Sequence, residues 1–405
     1  MTRIFRRSLP AFALAAALLA GAACGEDDPG VERARRAASD GGEIVVAAPW
    51  SWEARGGEIL YGEGMDLAVE EINAGGGVGG RSLRVLRVDD RESVEEGRLV
   101  AQELGKNPEV AAVVGHLHSY VTVPAAAVYD LAGLPLLAPT STSDELTERG
   151  YTRVFRTVFS DAEAGRQLAA YALARGWKRV VIYYARNEYG RGLANAFEEH
   201  AASHGGAVVS RESYDPGLSA NPHDAEVTVA DWGTFDFDAV FVAGHDRQAA
   251  LLVSELRRRG IGAPVLGSDA LATPTFLRLG GAAVEGTVIA SAFHPAGTSP
   301  EVRRFVAAFR ARWGKDPDVG AALAYDAVRV LAEGVRRAGS PDPAKLSAAL
   351  HALREVRGVT GTFSFDARGN LTGSTVGKVV VRGGAFHPLP ASPVPPSSSR
   401  DSAAR

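Results

Sequence analysis

Between residues 43 and 389 the chain alternates short apolar runs with amphipathic stretches of helical period, and this constrains its fold more than any motif does. Residues 43–48 open with a buried-strand run. Residues 64–73 then place Met65, Leu67, Ala68, Val69 and Ile72 on one helical face. Residues 83–88 alternate and end at Asp89 and Asp90. The spacing predicts a helix over 93–104, a strand over 110–114, a helix over 123–131 and a strand over 135–139. A second series repeats the pattern, with helices expected over 162–175, 190–204 and 247–259 and strands over 179–184, 207–213, 239–243 and 264–267. Such alternation means α/β architecture: parallel sheets covered on both faces. Two series of domain size mean two doubly wound parallel-sheet lobes. Ligands bind beyond the carboxyl ends of the strands in such sheets, so facing lobes would form a cleft.

The flanks read differently. Arg3, Arg6 and Arg7 precede an apolar stretch ending at Ala23, the pattern of an export signal over residues 1–24 that is too short to span a membrane with confidence. Cys24 is the single cysteine, so no intramolecular disulfide can form. Ala22-Ala23-Cys24 resembles a bacterial lipobox, with Gly21 where an aliphatic residue is usual, so Cys24 is either lipidated or incidental to ordinary cleavage. Residues 25–42 are polar, lack apolar period and read as a flexible tether. Residues 390–405 are rich in Pro and Ser and read as a disordered tail. With a formal charge of -4 and mixed signs, no basic face recommends nucleic acid as a partner.

Reactive chemistry finds little support. The glycines at 75–80 follow a helix and open a strand, the reverse of a dinucleotide loop, and read as a helix stop plus turn. The chain contains no Gly-x-Ser-x-Gly and no His-Glu-x-x-His, and its cysteine precedes the fold. His116 and His118 stand two apart without a third ligand nearby in sequence. No enzyme activity, metal or cofactor is expected.

Polar groups instead gather where strands end. Residues 115–119 (GHLHS) follow one predicted strand and Thr140–Ser143 follow the next, each before a helical segment. Hydroxyls and free N–H groups there suit a carboxylate, or simply cap the helices. In the second series Asp269, Tyr189 and His245 also follow strands. Donors on one lobe and a carboxylate, ring and imidazole on the other complement a zwitterion.

The stretches GMDLAVEEINAGGGVGGRSLRV, VVGHLHSYVTVPAA, LPLLAPTSTSDELTERGYTRVFRT, NEYGRGLA and GSDAL followed by AAVEGTVI resemble the periplasmic leucine/isoleucine/valine-binding protein family, the binding subunits of branched-chain amino acid ABC importers. The resemblance implies a type I periplasmic-binding fold with three hinge crossings: lobe 1 from 43–160 plus 290–355, lobe 2 from 161–289 plus 356–389. It implies an extracytoplasmic monomer that binds an amino acid and docks on a membrane permease served by an ATPase subunit. A ligand-sensing receptor on the same fold is the alternative. By the same resemblance Ser119, Thr140 and Thr142 hold the ligand's main chain, Tyr189 packs on it, and Asp269 takes the ammonium. His245, His118, Tyr120, Trp50 and Trp52 depart from the family pattern and are expected to shape the side-chain pocket.

Overall fold

The computed structural model describes residues 28–39, 41–55, 58–218 and 220–390. The first sheet is built of β1 Ile44–Trp50, β2 Leu83–Asp89, β3 Val110–Val114, β4 Leu136–Ala138 and β5 Val154–Arg156, all parallel, in the order β2-β1-β3-β4-β5. The second contains β6 Arg179–Ala185, β7 Ala207–Tyr214, β8 Ala239–Ala243, β9 Val265–Gly267 and β10 Val288–Ser291. After a small hairpin, β11 Val356–Arg357 and β12 Thr362–Phe363, the chain adds β13 Gly377–Arg382 and β14 Ala385–Pro388. The order is β14-β13-β10-β9-β8-β6-β7, with β13 and β14 antiparallel additions to a parallel sheet.

Why the inner strands read as unbroken apolar runs is plain from their two faces. Along β1, Ile44, Val46, Ala48 and Trp50 enter one core while Val45 and Ala47 enter the other. Along β6, Val180 and Ile182 are separated in the same way from Val181 and Tyr183. Helices cover all four faces. Those at Tyr61–Ala74 and Val319–Ala338 close one side of the first sheet, and those at Val94–Lys106 and Ser119–Leu131 the other. Each fully buried Val, Leu or Phe contributes about 1.5–3 kcal/mol.

Local signals set the helix starts. The Ser93 hydroxyl accepts from the N–H of Glu96, and that of Ser160 from Glu163, two S-x-x-E caps. The glycine run stops the helix Tyr61–Ala74 as read. Gly77 has φ 76° and a Cβ there would meet the Arg81 carbonyl oxygen at 2.1 Å, so only glycine turns the chain here.

The chain crosses between the sheets three times: after β5, after β10, and between Phe365 and Val376, side chains that belong to different lobes' cores. One expected boundary is corrected. Residues 356–372 do not begin the second lobe, because Phe363 and Phe365 bury in the first lobe's core and the Gly369 carbonyl accepts the Arg156 N–H at 2.9 Å. The returning part of the second lobe is the β13-β14 pair.

The expected tether is corrected too. Residues 29–38 form a helix, started by Asp28 and Pro29, and Arg33 on it is only 4% exposed. Its guanidinium donates to the carbonyls of Gly105 (2.9 Å), Asn107 (3.2 Å) and Ala132 (3.4 Å), the open C-terminal ends of two first-lobe helices. A polar segment with no apolar stripe is thus held chiefly by one buried arginine, with longer contacts from Arg36 to Glu109 and from Arg81 to the Ala37 carbonyl. The leader, Cys24 and residues 391–405 lie outside the described residues. Among the described residues no helix is long and apolar enough to cross a membrane.

Candidate functional site

In both sheets the order of winding reverses between two neighbouring parallel strands, at β1/β3 in the first and β6/β8 in the second. Crevices open beyond the carboxyl ends at such points. Here the two crevices face one another and enclose a cavity of about 130 Å³, room for several waters or one small molecule. Its wall is supplied by strand ends: Trp50 from β1, Leu117–Tyr120 after β3, Thr140 after β4, Asn187 and Tyr189 after β6, His245 and Asp246 after β8, and Asp269 after β9.

On the first lobe, Ser119 is the first residue of the helix Ser119–Leu131 and is nearly buried. His118 precedes it without making a side-chain cap, and the N–H groups of Ser119 and Tyr120, both residues of the cavity lining, have no partner among the described residues at the positive end of the helix dipole. The Ser119 hydroxyl accepts the Ser143 N–H at 3.4 Å and keeps its own proton to donate. Thr140 lines the cavity, but its hydroxyl donates back to the carbonyls of His116 and Leu117, both 2.9 Å. Its role is to hold the β3 loop in shape, and one lone-pair side remains for a ligand.

On the second lobe, the Tyr189 hydroxyl donates to Asp269 Oδ1 at 2.7 Å. Burial pushes the Asp269 carboxyl above its usual range, and the Tyr189 bond offsets part of this. Burial also pushes the Tyr189 phenol well up, with Asp269 adding to it. The His245 imidazole is pushed down to about 3 by burial, with His118 and Arg55 contributing, so it is neutral at pH 7.

The other expected residues divide. His118, Tyr120 and Trp50 line the cavity. The ring of His118 stacks on Tyr120 at 5.0 Å and meets His245 edge-on at 5.6 Å across the cleft. Trp52 lies instead in a neighbouring surface pocket, with Arg87 4.8 Å over its ring and its indole N–H bound to the Ala48 carbonyl. Thr142 does not line the cavity. Its hydroxyl is buried alongside Asp161, whose two carboxylate oxygens have no hydrogen-bond partner among the described residues. Burial raises the Asp161 carboxyl well above its usual range, with Asp144 adding, against a smaller lowering from Thr142.

His116, the other member of the histidine pair, is fully buried. Its Nδ1 donates to Asp90 at 2.6 Å and its Nε2 meets the Tyr129 hydroxyl at 3.1 Å, which ties the β3 turn to the end of β2. Among the described residues no group of three or more ligating side chains could hold a metal.

Sequence reading missed Arg55, which ends the one-turn helix Trp52–Arg55 after β1, and Glu58 just beyond it, both of which reach the cavity, and Asp246 beside His245. Arg55 binds Glu92 (2.6 Å) and Glu58 (3.2 Å); Glu58 in turn lies 3.6 Å from Arg247 of the other lobe. A charged loop with no apolar period gives no signal of where it folds back.

The model of a family described as periplasmic binding protein matches residues 34–384. An amino acid binding protein of Pseudomonas aeruginosa is 30% identical over 331 residues, 81% of this chain and 87% of that one. A second protein of that organism, a leucine-, isoleucine-, valine-, threonine-, and alanine-binding protein, is 29% identical over 82% of this chain and 88% of its own. Among solved structures, an ABC transporter substrate-binding protein of Desulfitobacterium hafniense in complex with Leu is 36% identical, with TM-score 0.77, covering 86% of this chain and all of that one, 100%. The substrate binding protein of a branched-chain amino acid transporter from Streptococcus pneumoniae, in complex with isoleucine, has TM-score 0.76 at 28% identity, with 86% and 100% coverage. By fold, cleft and sequence the chain belongs to the periplasmic binding protein family.

Proposed function

We propose that this protein is the extracytoplasmic binding subunit of an ABC importer, which takes an amino acid into the cleft between its lobes and delivers it to a membrane permease. The observation that carries the reading is the opposition of a helix N-terminus bearing Ser119 to the Asp269 carboxylate across one cavity. Ser119 and the first-turn N–H groups take the ligand's carboxylate, Asp269 takes its ammonium, and the Tyr189 ring packs between them. Closure of the lobes is driven by contacts that exist only when both sides touch the ligand. Binding needs no reactive group, and the relatives named above are binding proteins. The export signal and Cys24 support an exported, lipid-anchored protein held near its permease.

A thermal-shift screen across the amino acids tests this. A ligand at 100 times its dissociation constant stabilises the folded state by about 2.7 kcal/mol. If no amino acid shifts the melting transition, the reading is wrong.

A further inference from the structure

The ligand's main chain uses Ser119 and Asp269, and it leaves the far part of the cavity to be explained. There His245 projects from the end of β8, with its ring 5.6 Å from His118 and 5.7 Å from Tyr189. Its backbone N–H is bound by the Tyr214 hydroxyl at 2.7 Å, which fixes where the residue starts. Neither nitrogen of the ring hydrogen-bonds a described residue. The Tyr120 phenol, stacked against His118 on the opposite wall, likewise has no hydrogen-bond partner among the described residues. Lobe closure therefore encloses one imidazole N–H, one imidazole lone pair and one phenol.

The basic groups nearby are already matched. Arg55 is bound by Glu92 and Glu58, His118 lies 3.6 Å from Glu92, and Glu58 also faces Arg247. Both Asp246 oxygens are taken, one by the Arg247 N–H and one by the Thr273 hydroxyl, each at 2.8 Å. An anionic ligand side chain would find no free cation here, because Arg55 and Arg247 already face Glu92 and Glu58. A purely aliphatic one would shut the imidazole and phenol away from water without partners, which costs more than its own burial returns.

Given that the cleft binds an amino acid, we infer that His245, with Tyr120 opposite, selects a neutral side chain that both donates and accepts hydrogen bonds, a carboxamide or a hydroxyl, over an aliphatic one. The imidazole stays neutral at working pH, so it presents a donor and an acceptor together, which is the pattern of an amide or alcohol. The apolar residues Ile59, Leu117 and Val319 elsewhere on the wall accommodate the methylenes of such a side chain.

Calorimetry on the purified protein decides it, with asparagine, glutamine, serine and threonine against leucine, isoleucine and valine. The best polar ligand is expected to bind at least about tenfold tighter than the best aliphatic one. His245→Phe should remove that advantage while leucine binds as well or better, and His245→Gln, which keeps a donor and an acceptor, should retain it. Tighter binding of an aliphatic ligand by the native protein, or a polar preference untouched by His245→Phe, overturns the inference and leaves the functional reading standing. Absence of heat with every amino acid overturns both.

Discussion

The hydroxyl of Tyr189 donates to the carboxylate of Asp269 at 2.7 Å, and both side chains line the same cavity wall. The bond occupies Oδ1, and in the proposed site Oδ2 would take the ammonium. Asp269→Asn keeps the shape and removes the charge. Leaving a buried ammonium unpaired costs on the order of 2–5 kcal/mol, so amino acid affinity should fall at least about 30-fold by calorimetry. Tyr189→Phe keeps the ring and frees Oδ1, and its loss should be smaller. Equal affinity in Asp269→Asn and the native protein would remove Asp269 from the site.

In the proposed site Ser119 meets the ligand's carboxylate at the helix N-terminus. Hydrogen bonds to charged groups contribute about 1.5–3 kcal/mol, so Ser119→Ala should weaken binding roughly 10- to 150-fold. The circular dichroism spectrum and melting temperature should barely move, because the hydroxyl's contact with Ser143 within the protein is long, 3.4 Å. A large stability loss with intact affinity would make Ser119 a structural residue only.

Binding should weaken as pH falls, and the sign follows from Asp269. Only its ionised form neutralises an ammonium, and in the empty cleft its carboxyl titrates above the usual aspartate range because it is buried. Ligand binding therefore expels a proton in that window, and affinity drops on acidification before an exposed aspartate would titrate. Stability without ligand runs the other way: a folded pKa above the unfolded one means the native state holds its proton longer, so this group's contribution declines as pH rises through the window. Calorimetry from neutrality down to about pH 4 should show the loss, and Asp269→Asn should flatten it.

Arg33 carries a prediction outside the cleft. Replacing it with Ala leaves three carbonyls at two helix ends without their donor, and removes the one buried side chain of the helix Pro29–Ala38. Arg33→Ala should expose residues near 28–40 to limited proteolysis while the lobes and ligand affinity stay intact. Unchanged protection of that segment would mean the helix is held by other contacts.

What the sequence disclosed follows burial. Strands such as β1 and β8, buried on both faces, stand out as apolar runs, and the polar residues just past them are where the cavity lies. Ser119, Tyr189, His245 and Asp269 were legible for that reason. Depth was not: Thr140 and Thr142 sit two apart, and only the turn's geometry sends the first to the cavity and the second beneath it beside Asp161. The docked N-terminal helix was hidden because a buried arginine on backbone carbonyls leaves no apolar stripe. The lobe of residues 356–372 is not legible locally, because two phenylalanines, Phe363 and Phe365, decide it and their partners lie far away in sequence.

Glu58 gives the last test, because it reaches across the cleft. It stands 3.6 Å from Arg247 and its Oε1 accepts from the Thr275 hydroxyl at 3.4 Å, both on the second lobe, while Arg55 of its own lobe holds it at 3.2 Å. These contacts form only when the lobes approach, so they favour the closed arrangement over an open one. They are also partly exposed, and exposed pairs contribute no more than about 1 kcal/mol, less as salt rises. Glu58→Gln should therefore lower ligand affinity by at most about fivefold, through faster release rather than slower capture, and the difference should shrink at high ionic strength. Stopped-flow measurement of release at low and high salt separates this from a direct ligand contact, which would persist in both. A salt-independent loss would place Glu58 on the ligand itself.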